Sequence, residues 1–282
     1  MMRGHEAPMA QTHFDEHYNE AFYKEMIDGS MSSARVILPL LYDIYQPRSV
    51  IDIGCGQGAW LAVAESLGST ELVGLDGDWV KQECLLSKNM SFIPTNLEAP
   101  IHLDRRYDLC MSLEVAEHLS ETQAKSFIDT LCKASDVIIF SAAIRYQGGE
   151  HHINEQWQSY WKNLFHSNGY SYFDIFRADI WNNNNVEWWY RQNIFLFVYQ
   201  NCHLIDLQRL KILEKNVVDI VHPDNYESKI QFYESKIQFY ESKIQFYDSL
   251  IHTPTLRLCL GCAKRYVLTK IRTGISHFSR RI

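Results

Sequence analysis

One segment constrains the fold of this chain more than any other: the run VIDIGCGQGAWL from Val50 to Leu61. It opens with apolar, β-branched residues, continues through Gly54, Gly56 and Gly58, and then takes on an apolar helical pattern. Glycine adopts backbone conformations that other residues avoid and lets a ligand approach the backbone closely. A strand that enters a helix through such a turn opens a βαβ unit, so the segment predicts a parallel sheet with a ligand site at its carboxyl edge.

The region around this turn alternates short β-rich runs with longer helical patterns, from about residue 33 to residue 200. Such alternation is typical of a parallel sheet that is covered by helices. The predicted strands are 49–53, 71–75, 91–94, 107–112, 136–141, 171–176 and 193–199, and the predicted helices are 33–45 (ended by Pro47), 59–67, 121–134 and 154–167. The last two strands are expected to form a closing antiparallel pair. We therefore predict an α/β fold, a Rossmann-like three-layer αβα domain, over residues 1–203.

An acidic residue follows the glycines at the end of the second predicted strand. Asp76 lies twenty residues after Gly56. An acid at this spacing is placed to accept hydrogen bonds from ribose hydroxyls. The glycines are spaced GxGxG rather than in the GxGxxG order of NAD-binding domains, although an NAD enzyme or another nucleotide-binding domain stays an alternative.

The chain beyond residue 203 has a different pattern. Residues 204–223 are predicted to form a connecting helix, and YESKIQF then recurs without change from Tyr226, Tyr233 and Tyr240. A seven-residue period predicts a coiled coil, here over 224–251, with isoleucine at one seam position and tyrosine at the other. The phenylalanines widen the apolar face, which favours a homo-oligomer and a trimer over a dimer. The alternative is a helix that folds back on the domain of residues 1–203.

The net charge of −7 conceals an asymmetry along the chain. Residues 252–282 contain seven Lys or Arg and no Asp or Glu, so residues 1–251 carry −14. An apolar stripe runs through the basic segment at helical spacing, from Leu256 to Ile282. A basic amphipathic helix favours an anionic membrane surface. The alternative is a helix that packs on a protein partner such as a glycosyltransferase, while the acidic body argues against binding of nucleic acid.

Composition predicts a cytoplasmic protein, and the basic segment predicts that it associates peripherally with the inner face of the cell membrane. No apolar run reaches the roughly 18 residues of a membrane span, and the first residues lack the apolar core of a signal peptide. The seven cysteines are an odd, scattered set, which suits a reducing compartment. Cys259 and Cys262 form CLGC, but no second Cys or His pair is near in sequence, so we expect no metal.

Over about residues 30–200 the sequence resembles the class I S-adenosylmethionine-dependent methyltransferases. Their first motif is matched by residues 52–58, their ribose-binding acid by Asp76, and their EVxEHL signature by residues 114–119. The resemblance implies S-adenosyl-L-methionine as cofactor, with an adenine border after the third strand, where Asn stands for the family's frequent Asp. The implied cofactor-binding residues are Asp52, Gly54, Gly56, Asp76, Asn96, Leu97 and Glu114.

The group that removes the acceptor proton is sought on the substrate side of this fold. Methyl transfer to a hydroxyl requires alignment of the acceptor and removal of its proton. The loop RYQGGEHHINE, residues 145–155, has two glycines and two histidines, and histidine titrates near neutral pH. The candidates for the catalytic base are His151, His152 and His118. Alternatively, one of the two loop histidines caps or packs against the helix predicted to begin near residue 154.

Aromatic and amide residues are concentrated in the segment WNNNNVEWWYRQN, residues 181–193. Such side chains stack on sugars and hydrogen-bond to them, although a loop with a packed aromatic end is the alternative. The predicted substrate-binding residues are Tyr146, Trp189, Tyr190, Arg191 and Asn193. The segments GGEHHINEQW and WYRQN also resemble methyltransferases of bacterial glycan-assembly pathways.

The order of the three parts resembles the chain-terminating methyltransferases of bacterial O-antigen synthesis. The resemblance implies an acceptor that is a polysaccharide or glycolipid, a methyl cap on its non-reducing end, and a coiled coil that spaces the active site from the membrane. One competing interpretation is an O-methyltransferase of a small hydroxylated metabolite, with a coil that only oligomerises. Another is a membrane-recruitment adaptor without enzymatic activity.

Overall fold

The computed structural model describes residues 14–213, 218–251 and 268–269. Side chains are described from residue 28 onward, apart from those of 212–213 and 250–251. The chain divides after Asn225 into two compact units, each of which is described by itself.

The first unit contains a mixed sheet in the order β3-β2-β1-β4-β5-β7-β6. The strands are β1 Ser49–Ile53, β2 Glu71–Asp76, β3 Ser91–Pro94, β4 Leu109–Leu113, β5 Val137–Ser141, β6 Tyr170–Phe173 and β7 Phe195–Tyr199. The first five are parallel, and β7 pairs antiparallel with both β5 and β6. This sheet confirms the predicted Rossmann-like architecture with its closing antiparallel pair. The strand order reverses between β1 and β4, the position at which open α/β sheets bind ligands.

The helices cover both faces of the sheet and continue into the second unit. They are α1 Phe14–Tyr42, α2 Ala59–Ser66, α3 Glu121–Ala134, α4 Gln158–Ser167, α5 Arg177–Ile180, α6 Trp188–Asn193, α7 Leu207–Leu213 and α8 Pro223–Ile251. Alternate residues of β1 pack on opposite faces. Val50 contributes to the core cluster beneath α1 and α2, whereas Ile51 and Ile53 contribute to the cluster beneath α3 and α4. Because both faces of the central strands β1, β4 and β5 are buried, these strands are largely apolar along their length rather than alternating.

Several predicted boundaries are wrong, among them those of the strands predicted over 107–112 and 171–176, which are Leu109–Leu113 and Tyr170–Phe173. The helix predicted over 33–45 begins at Phe14, continues through Pro39 and ends at Tyr42. The helix predicted from 154 begins at Gln158, because the backbone N–H of Asn154 is held by the carbonyl of Glu117. The strand predicted from 193 begins at Phe195, since 188–193 form α6. In place of one helix over 204–223 the structure has α7, and Pro223 opens α8, a position where its missing N–H costs nothing.

The second unit contains most of α8, so the predicted heptad segment is helical. Its apolar side chains are 41–62 % exposed in the single chain, namely those of Tyr226, Ile230, Phe232, Tyr233, Ile237, Phe239, Tyr240, Ile244, Phe246 and Tyr247. Assembly of these helices into a coiled coil stays a prediction. The predicted basic amphipathic helix over 252–282 lies outside the described residues, apart from Leu268 and Thr269. Within the described ranges, no helix has both the length and the apolar character that crossing a membrane requires.

Candidate active site

The glycine turn after β1 lies at the carboxyl edge of the sheet. The N–H groups of Gly54 and Cys55 donate to the carbonyl of Leu75, at 2.7 and 3.1 Å, which fixes the turn to the end of β2. Gly54 has φ +91°, and a Cβ there would lie 2.2 Å from a Val115 methyl group. Gly56 has φ +51°, yet a Cβ there would meet no atom within 4 Å. Gly54 is therefore required for packing, whereas Gly56 borders open space at the predicted cofactor pocket.

Two carboxylates lie beside this turn. Asp76 accepts hydrogen bonds from the N–H of Gly56 and of Gly77, both at 2.7 Å. Burial raises the pKa of Asp76, and the two backbone bonds oppose that rise. Burial, together with the charge of Asp76, raises the pKa of Asp52 to about 8. Two buried acids at one pocket favour a ligand with positive charge, because a cation offsets the cost of ionising them.

The residues predicted to border adenine follow β3 at the same edge. The N–H of Thr95 donates to the carbonyl of Asp76 at 2.7 Å, which joins this segment to β2. Asn96 is exposed and accepts a hydrogen bond from the N–H of Glu98 at 3.0 Å. Leu97 is half-buried and packs against the core cluster beneath α3 and α4. The ends of β1, β2 and β3 therefore bring their predicted cofactor residues to one edge of the sheet.

An exposed aromatic ring next to this pocket was not predicted from the sequence. The Trp79 side chain is 72 % exposed. A Cβ on Gly77 would lie 2.0 Å from the Trp79 ring, so the ring lies against the backbone beside Asp76. The sequence signal was the pair of Gly77 and Trp79 directly after the acid.

These residues fit the cofactor that the sequence implies. S-adenosylmethionine carries a positively charged sulfur, an ammonium group and a ribose diol. The space beside Gly56 leaves room for a ligand, and the buried acids Asp52 and Asp76 match its positive charge. Each oxygen of Asp76 accepts one backbone bond and retains a lone pair for a hydroxyl donor.

Glu114 directly follows β4 and adopts φ +55°. Its carboxylate accepts hydrogen bonds from the side-chain amides of Asn193 and Gln147, both at 3.3 Å. Burial raises its pKa, while these amides, Ser141 and the charge of His152 oppose the rise. Glu114 is thereby fixed at the junction of the predicted cofactor and acceptor regions.

A buried amide network extends from Glu114 to the first turn of α8. The Gln192 side chain donates to Gln147 at 3.0 Å and to Asn193 at 2.9 Å. Its oxygen accepts the backbone N–H of His222 at 2.8 Å and the side-chain amide of Asn225 at 3.2 Å. Gln192 therefore links Gln147 and Asn193, which contact Glu114, to the start of α8. No sequence pattern indicated this role.

Two of the three predicted catalytic histidines lie together. Ligand-capable atoms of Glu117, His118 and His152 all lie within 4.8 Å of one another, and the two imidazole rings pack edge to face with centroids 4.8 Å apart. Burial and then the charge of Glu114 raise the pKa of Glu117 well above its ordinary value. Burial and then the charge of His152 lower the pKa of His118. The third candidate, His151, has a side chain that is 87 % exposed and 3.9 Å from Glu150.

Glu155 organises the loop that carries these histidines. Its carboxylate accepts the backbone N–H of Tyr146 at 2.8 Å and of Gly148 at 2.5 Å, and it pairs with Nδ1 of His152 at 3.1 Å. Among the described residues, the non-glycine positions with positive φ are Glu114, Tyr146 and His151, all at this site. Such backbone conformations concentrate at functional sites. Sequence reasoning included Glu155 in the loop but did not single it out.

The predicted substrate-binding residues have different environments. Tyr146 is 68 % exposed, and Trp189 is half-buried with its ring 5.5 Å from that of Trp188. Tyr190 is buried, with its hydroxyl 3.2 Å from Ser30 Oγ. Arg191 pairs with Asp224 at 2.6 Å, and Asn193 is buried against Glu114. Tyr146 and Trp189 are therefore accessible, whereas Tyr190, Arg191 and Asn193 contact partners within the protein. A substrate role for each of the five residues stays a prediction.

Comparisons with known proteins place these features in context. A family model described as a methyltransferase domain matches residues 24–213. A ubiquinone biosynthesis O-methyltransferase, mitochondrial, from Dictyostelium discoideum is 32 % identical over 101 residues, which are 30 % of this chain and 31 % of that protein. This chain therefore matches less than a third of the length of that relative.

Solved structures are also similar. An O-methyltransferase family protein from Burkholderia thailandensis has a TM-score of 0.49 at 12 % identity, with 66 % of this chain and 60 % of that chain covered. Magnesium protoporphyrin IX methyltransferase from Synechocystis PCC 6803, with bound S-adenosylhomocysteine, has a TM-score of 0.44 at 18 % identity, with coverage of 68 % and 90 %.

Proposed function

Because this chain belongs to the methyltransferase-domain family, we propose that its acceptor is a hydroxyl group at the non-reducing end of a polysaccharide. The enzyme is an S-adenosylmethionine-dependent methyltransferase, and its family match includes every strand of the sheet and every predicted site residue. The methyl group caps the polymer and terminates its elongation. The polysaccharide belongs to the O-antigen class of bacterial surface glycans.

The turn after β1 and the two acids beside it hold the cofactor. S-adenosylmethionine supplies the methyl group from a positively charged sulfur. Gly56 leaves the space in which the ligand meets the backbone, Asp76 accepts the ribose hydroxyls, and Asp52 offsets the positive charge. Asn96 and Leu97 border the adenine, and Glu114 marks the end of the pocket nearest the acceptor.

The acceptor enters at the loop between β5 and α4. Three large side chains of this region are exposed: Tyr146 at 68 %, Ile153 at 66 % and Trp157 at 36 %. Exposed large apolar side chains that cluster on one part of a surface are typical of binding sites. A sugar face stacks on such side chains, and an open rim of this kind suits the end of a polymer. His118, His151 and His152 remain the candidates for the group that takes the acceptor proton.

The single observation that carries the polysaccharide proposal is α8. This helix has 29 residues, and at 1.5 Å per residue it spans roughly 43 Å. Three identical heptads expose isoleucine, phenylalanine and tyrosine to solvent, which a soluble protein rarely leaves uncovered. Catalysis on a small metabolite does not require a helix of this length, whereas a methyltransferase that acts on a membrane-bound polymer needs a spacer.

The proposed assembly is a homo-oligomer through the heptads, with a trimer favoured over a dimer. Residues 252–282, with charge +7, bring it to the anionic inner face of the cell membrane, or to a glycosyltransferase at that membrane. Liposome flotation tests this arrangement: the full chain should float with anionic vesicles, and a chain truncated after Ile251 should not. Equal flotation of both would refute the membrane role of the basic segment.

Transfer of labelled methyl tests the acceptor directly. The purified enzyme is incubated with labelled S-adenosylmethionine and either polysaccharide from cells that lack the enzyme or a panel of small hydroxylated compounds. We expect label in the polysaccharide, and mass spectrometry should locate one methyl group at its non-reducing end. Label in small compounds alone would contradict the proposal.

Deletion of one YESKIQF heptad tests the spacer. Because the repeats are identical, the deletion shortens the helix by about 10 Å without changing its heptad register. The distribution of polymer lengths in cells should shift, while the specific activity of the purified enzyme on short acceptors should stay at that of the parent. An unchanged length distribution would remove the spacer role.

A second candidate is O-methylation of a small hydroxylated metabolite, with a coil that only oligomerises. The match to a ubiquinone biosynthesis O-methyltransferase favours it. The labelled-methyl experiment separates the two candidates, because only the second predicts transfer to the small acceptors alone.

A further inference from the structure

The side chains of Glu117, His118 and His152, here called the Glu-His-His cluster, converge at the acceptor side of the site. Their ligand-capable atoms all lie within 4.8 Å of one another. Glu117 is fully buried, His152 is half-buried and His118 is exposed. The cluster is therefore buried on the Glu117 side and accessible to solvent on the His118 side. Two imidazoles and one carboxylate are a common ligand set for divalent metal ions in proteins.

The Glu117 carboxylate is the strongest sign that a ligand is expected here. Its exposed fraction is 0 %, and neither of its oxygens has a hydrogen-bond partner of normal geometry among the described residues. A buried polar group without a partner costs free energy, and a buried carboxylate costs more than a neutral group. Glu114, the neighbouring acid, differs because the amides of Gln147 and Asn193 already satisfy it. A cation between Glu117 and the two histidines would supply the missing partner.

The backbone around the cluster holds its members in place. The carbonyl of Glu117 accepts the N–H groups of Ile153 and Asn154, both at 3.0 Å, which joins the turn after β4 to the loop that carries His152. A Cβ on Gly149 would lie 2.3 Å from the His152 ring, so the loop backbone lies directly against that imidazole. The cluster therefore belongs to a fixed junction between two segments.

One histidine of the cluster, His152, has the outer partner that metal ligands usually have. His152 Nδ1 lies 3.1 Å from Glu155 Oε1, which leaves its Nε2 as the nitrogen that can bind an ion. Metal-ligating histidines almost always donate their second N–H to a carboxylate or a carbonyl, which fixes the tautomer and the ring orientation.

We propose that the Glu-His-His cluster binds one divalent transition-metal ion. Two nitrogen ligands favour Zn²⁺ or Co²⁺, and to a lesser degree Mn²⁺, over Mg²⁺, which prefers oxygen ligands. Bonds of about 2.0–2.2 Å hold neighbouring ligand atoms roughly 3–4 Å apart, so the cluster closes slightly around the ion. The ion takes the acceptor hydroxyl on its open side. That second role rests on the proposed function, whereas metal binding itself does not.

This site differs from the expectation drawn from the sequence, which was that no metal binds. Ligand pairs at close spacing are the sequence signal of such a site, and CLGC was the pair that stood out. Glu117 and His118 follow β4, whereas His152 follows β5, and the parallel pairing of these strands brings the segments together.

Direct binding to the full-length, untagged chain tests the proposal without an acceptor. The protein is treated with a chelator, dialysed, and titrated with MnCl₂ by electron paramagnetic resonance and with ZnCl₂ by calorimetry. We expect one ion of each metal per chain and an affinity for MgCl₂ that is at least about tenfold weaker. CoCl₂ should give visible absorption bands that excess ZnCl₂ removes.

Variants locate the site. His152→Ala and Glu117→Gln should each weaken Mn²⁺ and Zn²⁺ binding by at least about 100-fold, and Glu155→Gln by about 10–100-fold through the His152 orientation. His151→Ala is the matched control, because this exposed histidine on the same loop is not part of the cluster, and its metal affinity should equal that of the parent. Circular dichroism confirms that each variant is folded, and Glu117→Gln keeps the volume of the side chain.

Two results would overturn the proposal. One is absence of a stoichiometric ion in the parent. The other is metal affinity in folded His152→Ala and Glu117→Gln that matches the parent, which would assign any bound ion to another place. Metal bound at the cluster with no methyl transfer to polysaccharide would instead refute the proposed acceptor and leave the metal site standing.

Discussion

Gly56 borders the open space proposed for the cofactor, and its replacement by alanine tests that placement. A Cβ at this position would meet no protein atom within 4 Å. The variant therefore creates no clash inside the protein, and its effect on ligand binding is separable from packing. Gly54 does not allow this separation, because its Cβ would lie 2.2 Å from Val115.

The cost to stability comes from the backbone alone. Gly56 has φ +51°, and a side chain in such a conformation costs roughly 1–3 kcal/mol. For a domain of this size, 1 kcal/mol corresponds to about 2–4 °C in melting temperature. We expect Gly56→Ala to melt roughly 2–12 °C below the parent and to remain folded at 25 °C.

The cost to binding comes from the space that the methyl group occupies. A ligand that packs against the backbone at Gly56 must move away from an added Cβ and lose its contacts there. We expect the affinity for S-adenosylmethionine to fall by at least about tenfold, which is 1.4 kcal/mol. Isothermal calorimetry measures this affinity directly.

Gly68→Ala is the matched control. Gly68 also has positive φ, at +108°, and a Cβ there would likewise meet no atom within 4 Å. It follows the far end of α2, away from the turn that Gly56 occupies. Gly68→Ala should lose stability and keep the parent affinity for S-adenosylmethionine. Equal affinities in the parent, Gly56→Ala and Gly68→Ala would refute the placement of the cofactor.

Three other features lead to measurable predictions. Because burial raises the pKa of Asp52 to about 8, and a positively charged ligand favours its ionised form, binding of S-adenosylmethionine at pH 7 should release up to one proton. Calorimetry in buffers of different ionisation enthalpy detects that proton, and Asp52→Asn should abolish it. Gln192→Met should lower the free energy of unfolding, measured by urea denaturation, by about 2–5 kcal/mol, because it leaves buried partners unsatisfied. Its control, Gln208→Met on the exposed face of α7, should change that free energy by less than about 0.5 kcal/mol. Ile237→Asp at the heptad seam should yield monomers in sedimentation equilibrium. Ser235→Asp, outside the seam, should keep the oligomer of the parent. An unchanged oligomer in Ile237→Asp would refute the coiled coil.

Local sequence determined the sheet and the turn that follows its first strand. Strand β1 and the glycines after it were predicted at the positions where the structure has them, because a buried strand and a glycine turn depend on residues that are neighbours in the chain. The acid at the end of β2 was found in the same way. The family model confirms the methyltransferase assignment that these motifs supported.

Helix boundaries depended on contacts that are distant in sequence. Residues 154–157 have a helical pattern but lie outside α4, because the carbonyl of Glu117 holds the N–H groups of Ile153 and Asn154. Residues 188–193 lie next to a strand-forming run but form α6, and Asn193 reaches Glu114 from there. Long-range partners of this kind override local propensity.

The chemistry of the acceptor side was likewise decided by tertiary structure. The sequence pattern indicated three histidines as candidates for the catalytic base. It could not distinguish His151, which is exposed, from His152, which pairs with Glu155. Glu117 was noted only as part of the EVxEHL signature near the substrate mouth, and Glu155 was not singled out, since both are ordinary acids until the fold buries one and aims the other at an imidazole. The cofactor side is a local motif, whereas the acceptor side is built from two loops that only the pairing of β4 with β5 brings together.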